Sequence, residues 1–310
     1  MKNAVQGLAL SPEVNDALQS KLPVVALEPT VLTHGLPWPE NLEILSSLEA
    51  ILRESGVVPA TIIVIGGVAH IGLDKPVLAG LEQLLRIPGG FFKLGLRDLP
   101  LAVTRKLNGG TTVSATMKLA ALAGIEIFAT GGIGGVHRDW RDRLDISSDL
   151  TALASIPVAV VSAGCKAILD IPATLEYLET LAVPVLGWQT DRFPRFYTRD
   201  SGYHIDRINN AGEFASFWQA HRSLNQCGVL LANPIPAEHS VPSSEIESSI
   251  EIALNAARDK GITGKETTPF LLDFLSHHTK GGSVQANLAL LKCNVRVAAL
   301  LAKALAGNKG

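Results

Sequence analysis

Two charged residues stand at the ends of segments too apolar to carry them comfortably. Lys166 follows the run "VAVVSAGC" (158–165) and opens "KAILDIPATLEYLETL" (166–181), a stretch that reads as a helix. An ammonium is costly to desolvate, and the first turn of a helix, with its partial positive charge, disfavours a cation. Two readings stay open from these residues: a surface lysine in a first helical turn, or an amine kept unprotonated to act as a nucleophile. Glu28 ends the run "VVALE" (24–28). Burial there would raise its pKa and suit general-acid work; the bland alternative is a buried glutamate locked to backbone or to an arginine. His34, a few residues on, reads as a structural histidine.

Three further stretches could hold ligands. In "TGGIGGVHRD" (130–139), glycines let backbone N–H groups approach an anion, and His137 or Arg138 could add charge. It is no dinucleotide fingerprint, because His137 stands where the third glycine belongs. "GGTTVSATMKLAALAG" (109–124) enters a helix either as an anion site or through plain capping by Thr111 or Thr112, and capping is the better local reading. "DWRDRLDISSDLTALA" (139–154) carries Asp139, Asp142, Asp145 and Asp149, which could hold a hard cation. On local grounds a solvated surface, with Ser147 as helix cap, is favoured. "GITGKETT" (261–268) fails the Walker spacing.

The elements that must position these residues alternate. Apolar, β-branched runs recur at 24–28, 61–67, 125–130, 158–163, 183–188 and 228–234. Helical patterns lie at 39–55, 111–124, 243–261 and from about Ser283 onward. Continuously apolar strands between helices predict an α/β fold with a mainly parallel sheet. Ligands of such sheets sit beyond the carboxyl ends of the strands. That places Glu28–Thr30, Gly66–Gly67, Thr130–Gly132, Gly164–Lys166, Gln189–Asp191 and Asn233–Pro234 around one expected crevice.

Bulk properties narrow the classes. The 310 residues are 47% hydrophobic and 18% charged with a net charge of −2, and no linker-like stretch divides them, so one continuous domain over 1–310 is expected. Lys and Arg are scattered, which argues against nucleic acid or an anionic membrane as partner. No apolar run reaches the ~18 residues needed to span a bilayer. Cys165, Cys227 and Cys293 are far apart, arguing against a disulfide framework or a zinc site and for a reducing cytoplasm.

Taken in order, "LEPTVLTHGLPWPEN", "KLGLRDLP", "GGTTVSATM", "FATGGIGGVHR", "DISSDLTAL", "AGCKAILDIPATLEYLE", "TDRFPRFY", "ANPIP", "GKETTPFLL" and "GGSVQANLALL" resemble the pseudouridine-5′-phosphate glycosidase family, also labelled indigoidine synthase A-like. The likeness covers roughly residues 20–305. It implies a three-layer α/β/α sandwich, a homotrimer, and reversible cleavage of the C–C glycosidic bond of pseudouridine 5′-phosphate to uracil and ribose 5-phosphate. It further implies Lys166 as nucleophile, Glu28 as proton donor and Asp145 as ligand of a divalent ion, typically Mn²⁺ with Mg²⁺ as alternative. Lys93, Val113, Ser147, Ser148 and Asp149 are implied substrate contacts, with Thr130 and His137 toward the phosphate and Asn287 toward uracil. Pro29, Gly66, Cys165 and Trp188–Gln189 depart from the family pattern and leave the implied nucleophile, acid and metal ligand intact.

A C–C glycosidic bond has no basic leaving nitrogen, so the expected route opens the ribose ring and passes the sugar to Lys166 as a Schiff base. A sugar kinase of the same α/β class would need a Gly-Ala-Gly-Asp-type motif, which the sequence lacks. A Schiff-base lyase of another type and a non-catalytic sugar-phosphate binder are the remaining alternatives.

Overall fold

Apolar runs without polar alternation become strands buried on both faces: Val24–Leu27, Ala159–Ser162 and Val229–Ala232 are covered at every position. The computed structural model describes residues 7–30, 32–33, 38–87, 89–262, 270–271, 274–275 and 282–307, apart from the side chains of 142 and 143. His34 and most of "GKETTPFLL" lie outside the described residues, as does the side chain of Asp142.

The chain begins β1 (Leu8–Leu10), α1 (Pro12–Gln19), β2 (Val24–Leu27), α2 (Glu40–Glu54), β3 (Val58–Ile65), β4 (Val68–Ile71) and α3 (Lys75–Leu85). It continues β5 (Phe92–Leu94), α4 (Leu99–Arg105), β6 (Gly109–Thr111), α5 (Val113–Ala123), β7 (Ile127–Ala129), β8 (Val136–His137), α6 (Trp140–Arg143) and α7 (Ser148–Ser155). There follow β9 (Ala159–Ser162), β10 (Leu169–Asp170), α8 (Ile171–Thr180), β11 (Val185–Trp188), β12 (Asp206–Ile208), α9 (Ala211–Leu224), β13 (Val229–Ala232) and α10 (Ser243–Asp259). A long helix, Gly282–Gly307, ends the described chain.

Eleven strands form one sheet in the order β1-β4-β3-β2-β7-β9-β13-β11-β12, with β6 pairing β3 and β5 pairing β6. From β3 to β12 every neighbour is parallel, and the two antiparallel pairings, β3 with β4 and with β6, are confined to one side. The C-terminal helix packs on β2, β7 and β9 beside α2 and α9, and α5 packs on β2 and β3 beside α7. Helices thus cover both faces, an α/β/α sandwich. One apolar cluster runs through it from Val14 to Leu305, and a smaller one (Leu32, Leu45, Ile63, Leu81) joins α2, β3 and α3.

The sequence pattern misplaces one boundary that matters. Lys166 does not enter a helix: α8 begins at Ile171. Asp170 caps it by accepting from the N–H of Ala173, and Pro172 fixes the first turn. Leu169 and Asp170 are drawn instead onto His137 and Val136, where β10 pairs antiparallel with β8. Lys166 is left in the connection between β9 and β10, half-buried.

Candidate active site

β2, β7 and β9 are adjacent and parallel, with Leu27 level with Ala129 and Ala129 level with Val161. Their carboxyl ends therefore deliver Glu28, Thr130 and the segment leading to Lys166 to one place. Beyond the strands the pairing continues through the loops. Ala163 N–H donates to Gly131 O (2.9 Å), Ile133 N–H to Gly164 O (3.0 Å) and Lys166 N–H to Ile133 O (3.0 Å). Gly164 makes this possible: it has φ +79°, and a Cβ there would lie 2.6 Å from Pro194 O. The lysine backbone is thus held by a sheet-like ladder.

Glu28 is half-buried and lines the hollow described below. Its carboxylate oxygens accept from the hydroxyls of Thr30 and Thr130. Burial pushes its pKa above the ordinary carboxylate value; the positive Lys166 and the two hydroxyls oppose that rise, and Asp149 adds to it. A carboxyl biased toward its protonated form beside an amine is the arrangement an acid and a nucleophile require.

Asp149 organises the opposite wall. It is buried, and its carboxylate accepts from Ser114 N–H (2.9 Å) and Gly134 N–H (2.8 Å). One residue thereby caps α5 and pins the glycine-rich loop. This corrects the local reading of "GGTTVSATM": Thr112 occupies the cap position of α5 without a capping bond, and Thr111 donates to Ile62 O (3.1 Å) instead. It also corrects the reading of 139–154 as mere surface. Ser147 does cap α7, accepting from Asp149 N–H (3.2 Å). A hydroxyl chain joins the two helix starts, Thr112 to Ser114 (3.1 Å) and Ser114 to Ser148 (3.2 Å).

These groups surround a hollow of about 360 Å³. Of the residues expected from sequence, Glu28, Lys93, His137, Asp145, Lys166 and the Ser147–Asp149 segment line it. Val113 is wholly buried, and its neighbour Thr112 lines the hollow in its place. Thr130 spends its hydroxyl on Glu28. Asn287 does not line the hollow; its Oδ1 lies 3.3 Å from where a Cβ on Gly131 would stand. Of the other strand-end segments, Gly66–Gly67 makes the tight turn between β3 and β4, and Gln189 N–H donates to Ile208 O (2.7 Å) at the β11–β12 edge. Neither reaches the hollow.

Arg97 and Asp98 line the hollow and were not singled out from sequence, although "KLGLRDLP" contains both. Arg97 is 81% exposed, with Nε 3.8 Å from Asp98, and Asp98 accepts from Gly95 N–H (2.9 Å). Lys93, Arg97 and Lys166 give the hollow a cationic side suited to a phosphate. His137 Nε2 lies 4.0 Å from Asp145 Oδ2. Burial lowers the His137 pKa; Asp145 and Asp139 oppose this, and Lys166 and Lys93 reinforce it.

Asp145 offers one carboxylate, 36% exposed, on a backbone fixed by His137 N–H donating to its carbonyl (3.0 Å). Among the described residues no three His, Cys, Asp or Glu side chains gather to cage an ion. A lone carboxylate facing a polar hollow fits a hydrated Mg²⁺ or Mn²⁺, which retain most of their waters.

Comparison with known proteins agrees with this architecture. The family model for indigoidine synthase A like protein matches residues 13–304. Pseudouridine-5′-phosphate glycosidase of Caldanaerobacter subterraneus subsp. tengcongensis is 50% identical over 94% of this chain and 95% of its own, and that of Symbiobacterium thermophilum 48% over 97% and 99%. The prealnumycin C-glycosynthase AlnA, solved with ribulose 5-phosphate, superposes with a TM-score of 0.90 at 36% identity, over 98% of this chain and 99% of its own. An indigoidine synthase A-like protein from Thermotoga maritima gives 0.86 at 38%, over 96% of each chain. With a family model matched along nearly its whole length and relatives at half identity, this chain belongs to the indigoidine synthase A-like family.

Proposed function

We propose that this protein is a pseudouridine-5′-phosphate glycosidase, cleaving the C–C bond between ribose 5-phosphate and uracil with addition of water, reversibly. The observation that carries this reading is the meeting of Glu28 and Lys166 in one hollow that Lys93 and Arg97 also line. An acid, an amine and an anion-binding side are what a Schiff-base route on a sugar phosphate needs. A sugar kinase would instead need a Gly-Ala-Gly-Asp-type motif, which the sequence lacks. The names of the relatives point the same way, and the C-glycosynthase likeness concerns a C–C glycosidic bond as well.

In this mechanism Glu28 gives its proton to the ribose ring oxygen as the C1′–O bond breaks; the uracil N1 lone pair moves into N1–C6 and the C5–C6 π pair into C5–C1′, leaving an alkene that joins C1′ to uracil C5. The neutral Lys166 amine adds at C1′, and its electrons pass into the uracil C4 carbonyl. The added amine sheds a proton, which is delivered to C5; the C1′–C5 bond then breaks, with the nitrogen lone pair so restored forming the iminium as uracil leaves. Water adds to the iminium, expels the amine and frees ribose 5-phosphate, and Glu28 recovers a proton. Lys93 and Arg97 hold the phosphate, and the hydroxyl-lined starts of α5 and α7 complete its pocket. Binding energy from that remote group orients C1′ toward Lys166.

Asp145 would hold a hydrated Mn²⁺ or Mg²⁺, which supplies charge that orients polar groups of the substrate. Chelation should then abolish activity and Mn²⁺ restore it; an Asp145→Ala protein fully active after chelation would remove the ion from the scheme. A homotrimer and a cytoplasmic setting belong to the same reading. The three cysteines unbridged in the fold, and the absence among described residues of a helix able to cross a membrane, are compatible with that setting.

The direct test is incubation with pseudouridine 5′-phosphate, following free uracil by chromatography, with borohydride added to trap the sugar on Lys166. No uracil and no adduct would end the proposal.

A further inference from the structure

The C-terminal helix carries an asparagine with no exposed surface at all, Asn294. A fully buried amide is retained only where each polar atom finds a partner. The Nδ2 of Asn294 donates to Thr130 O at 2.8 Å and lies 3.4 Å from Gly131 O. Its Oδ1 accepts from Asn233 Nδ2 at 2.9 Å, and Asn233 N–H donates to Ser162 O at 2.7 Å. Asn233 stands just past β13, so the pair joins the ends of β13 and β7 across the helix. One turn earlier on that helix, Leu290 comes within 3.5 Å of where a Cβ on Gly131 would stand.

Thr130 is thereby held at both ends of its backbone. Its N–H donates to Val161 O (3.0 Å), its carbonyl accepts from Asn294, and its hydroxyl points at the Glu28 carboxylate. Thr130 follows the last residue of β7 and precedes two glycines, so the strand alone does not fix its carbonyl. We propose that Asn294 is a positioning residue for the reaction: by clamping the Thr130 carbonyl it aims the Thr130 hydroxyl at Glu28 and so sets the orientation of the proton donor. The inference rests on the glycosidase reading. It assigns to the C-terminal helix a part in chemistry that occurs on the far ends of β2, β7 and β9. Among the described residues the groups that act on Glu28 are Lys166, Thr130, Thr30 and Asp149, and none of these lies on that helix. The influence of Asn294 must therefore pass through Thr130.

A double-mutant cycle isolates that path. Asn294→Leu removes the amide at nearly constant volume, and Thr130→Val removes the hydroxyl alone. With pseudouridine 5′-phosphate as substrate, Asn294→Leu should lower kcat about 10- to 100-fold, because a misaligned catalytic group costs on that order. KM should move far less. In the Thr130→Val background the same change should cost less than about twofold, since no hydroxyl remains to be aimed. Asn233→Leu is the control: it disturbs the same buried pair without touching Thr130, and should cost stability with little change in kcat.

Should Asn294→Leu not fold, Asn294→Asp, which keeps the acceptor for Asn233, takes its place with the same expectation. Additive losses in the cycle, or equal kcat losses in Asn294→Leu and Asn233→Leu tracking their melting temperatures, would overturn the inference. Wild-type protein that releases no uracil would instead overturn the glycosidase reading, and is seen before any variant is made.

Discussion

β2 and β7 have a hollow at each end, and the side chains that line the two differ in kind. At the amino ends a small one of about 110 Å³ is lined mostly by apolar side chains, Val24, Ile127, Leu18 and Leu305 among them, together with Lys21 and Glu126. At the carboxyl ends the larger one, of about 360 Å³, is lined by carboxylates, amines and hydroxyls. The polar atoms there are satisfied largely by one another, as in Thr130 with Glu28 and Asp149 with two backbone N–H groups. Burial of apolar surface stabilises the first end. The second end instead holds Glu28 against its preference for water. Stability and chemistry are thus assigned to opposite ends of the same strands, and substitutions should separate them.

The largest effect should come from Lys166. Lys166→Ala should lose at least about 10⁴-fold in kcat, as removal of a covalent nucleophile does, and no borohydride adduct should form. Its melting temperature should stay near wild type. Arginine should not rescue it, because the guanidinium stays protonated.

Glu28→Gln should lose about 10²- to 10⁴-fold in kcat, the range for a general acid. It should also stabilise the protein. A carboxyl whose folded pKa lies above its unfolded value contributes stability below the unfolded value, and that contribution is lost as pH rises through the folded one. Glutamine escapes that loss. Melting curves of the two proteins should coincide near pH 4 and diverge as pH increases, with the variant higher; a variant that melts lower at neutral pH would contradict the assignment of burial as the dominant cause.

Removing the phosphate from the substrate should cost about 10²-fold in kcat/KM through lost orientation, and Lys93→Ala should cost less with the phosphorylated substrate than dephosphorylation does. Equal kcat/KM for pseudouridine and its 5′-phosphate would break the cationic-side argument.

The amino end supplies the converse. Ile127→Ala should lower stability by about 2–5 kcal/mol, as a large-to-small change in a packed core does, while leaving kcat of the folded fraction unchanged. Smallest of all, Cys165→Ala should remain active. Its thiol adjoins the nucleophile in sequence but is fully buried, and burial pushes its pKa up to about 12, so it has no thiolate to contribute.

What could be read from sequence follows the same division. The six apolar runs became strands because continuous Val, Ile, Leu and Ala has no other economical place in a sheet covered on both faces. Glu28 and Lys166 stood out as charges directly after such runs. What stayed hidden depends on distant partners. The cap of α5 comes from Asp149, 35 residues beyond Ser114, and no local pattern could reveal it. β8 and β10 are two residues each, too short for any periodicity. Their pairing removed Lys166 from the helix its neighbours suggested. Arg97 offers no local signal, since an exposed arginine has a surface reading by default. Asn294 carried a usable signal: a lone amide in the Ala/Leu-rich stretch "LALLKCNVRVAALLAKALAG" (288–307).

The adjacency of β2, β7 and β9 also governs when the site comes into being. Glu28 meets Thr130 across 102 residues, and Asn294 meets Thr130 across 164. Contacts of such sequence separation close after local ones, because loop entropy must be overcome before they form. A chain emerging from synthesis would possess Glu28, Thr130 and Lys166 well before Asn294 exists to clamp the sheet, and it would hold a nearly complete hollow without a fixed acid. Regain of activity during refolding should therefore lag behind regain of helical circular dichroism and keep pace with docking of the last helix, making turnover a clock for the final step of folding.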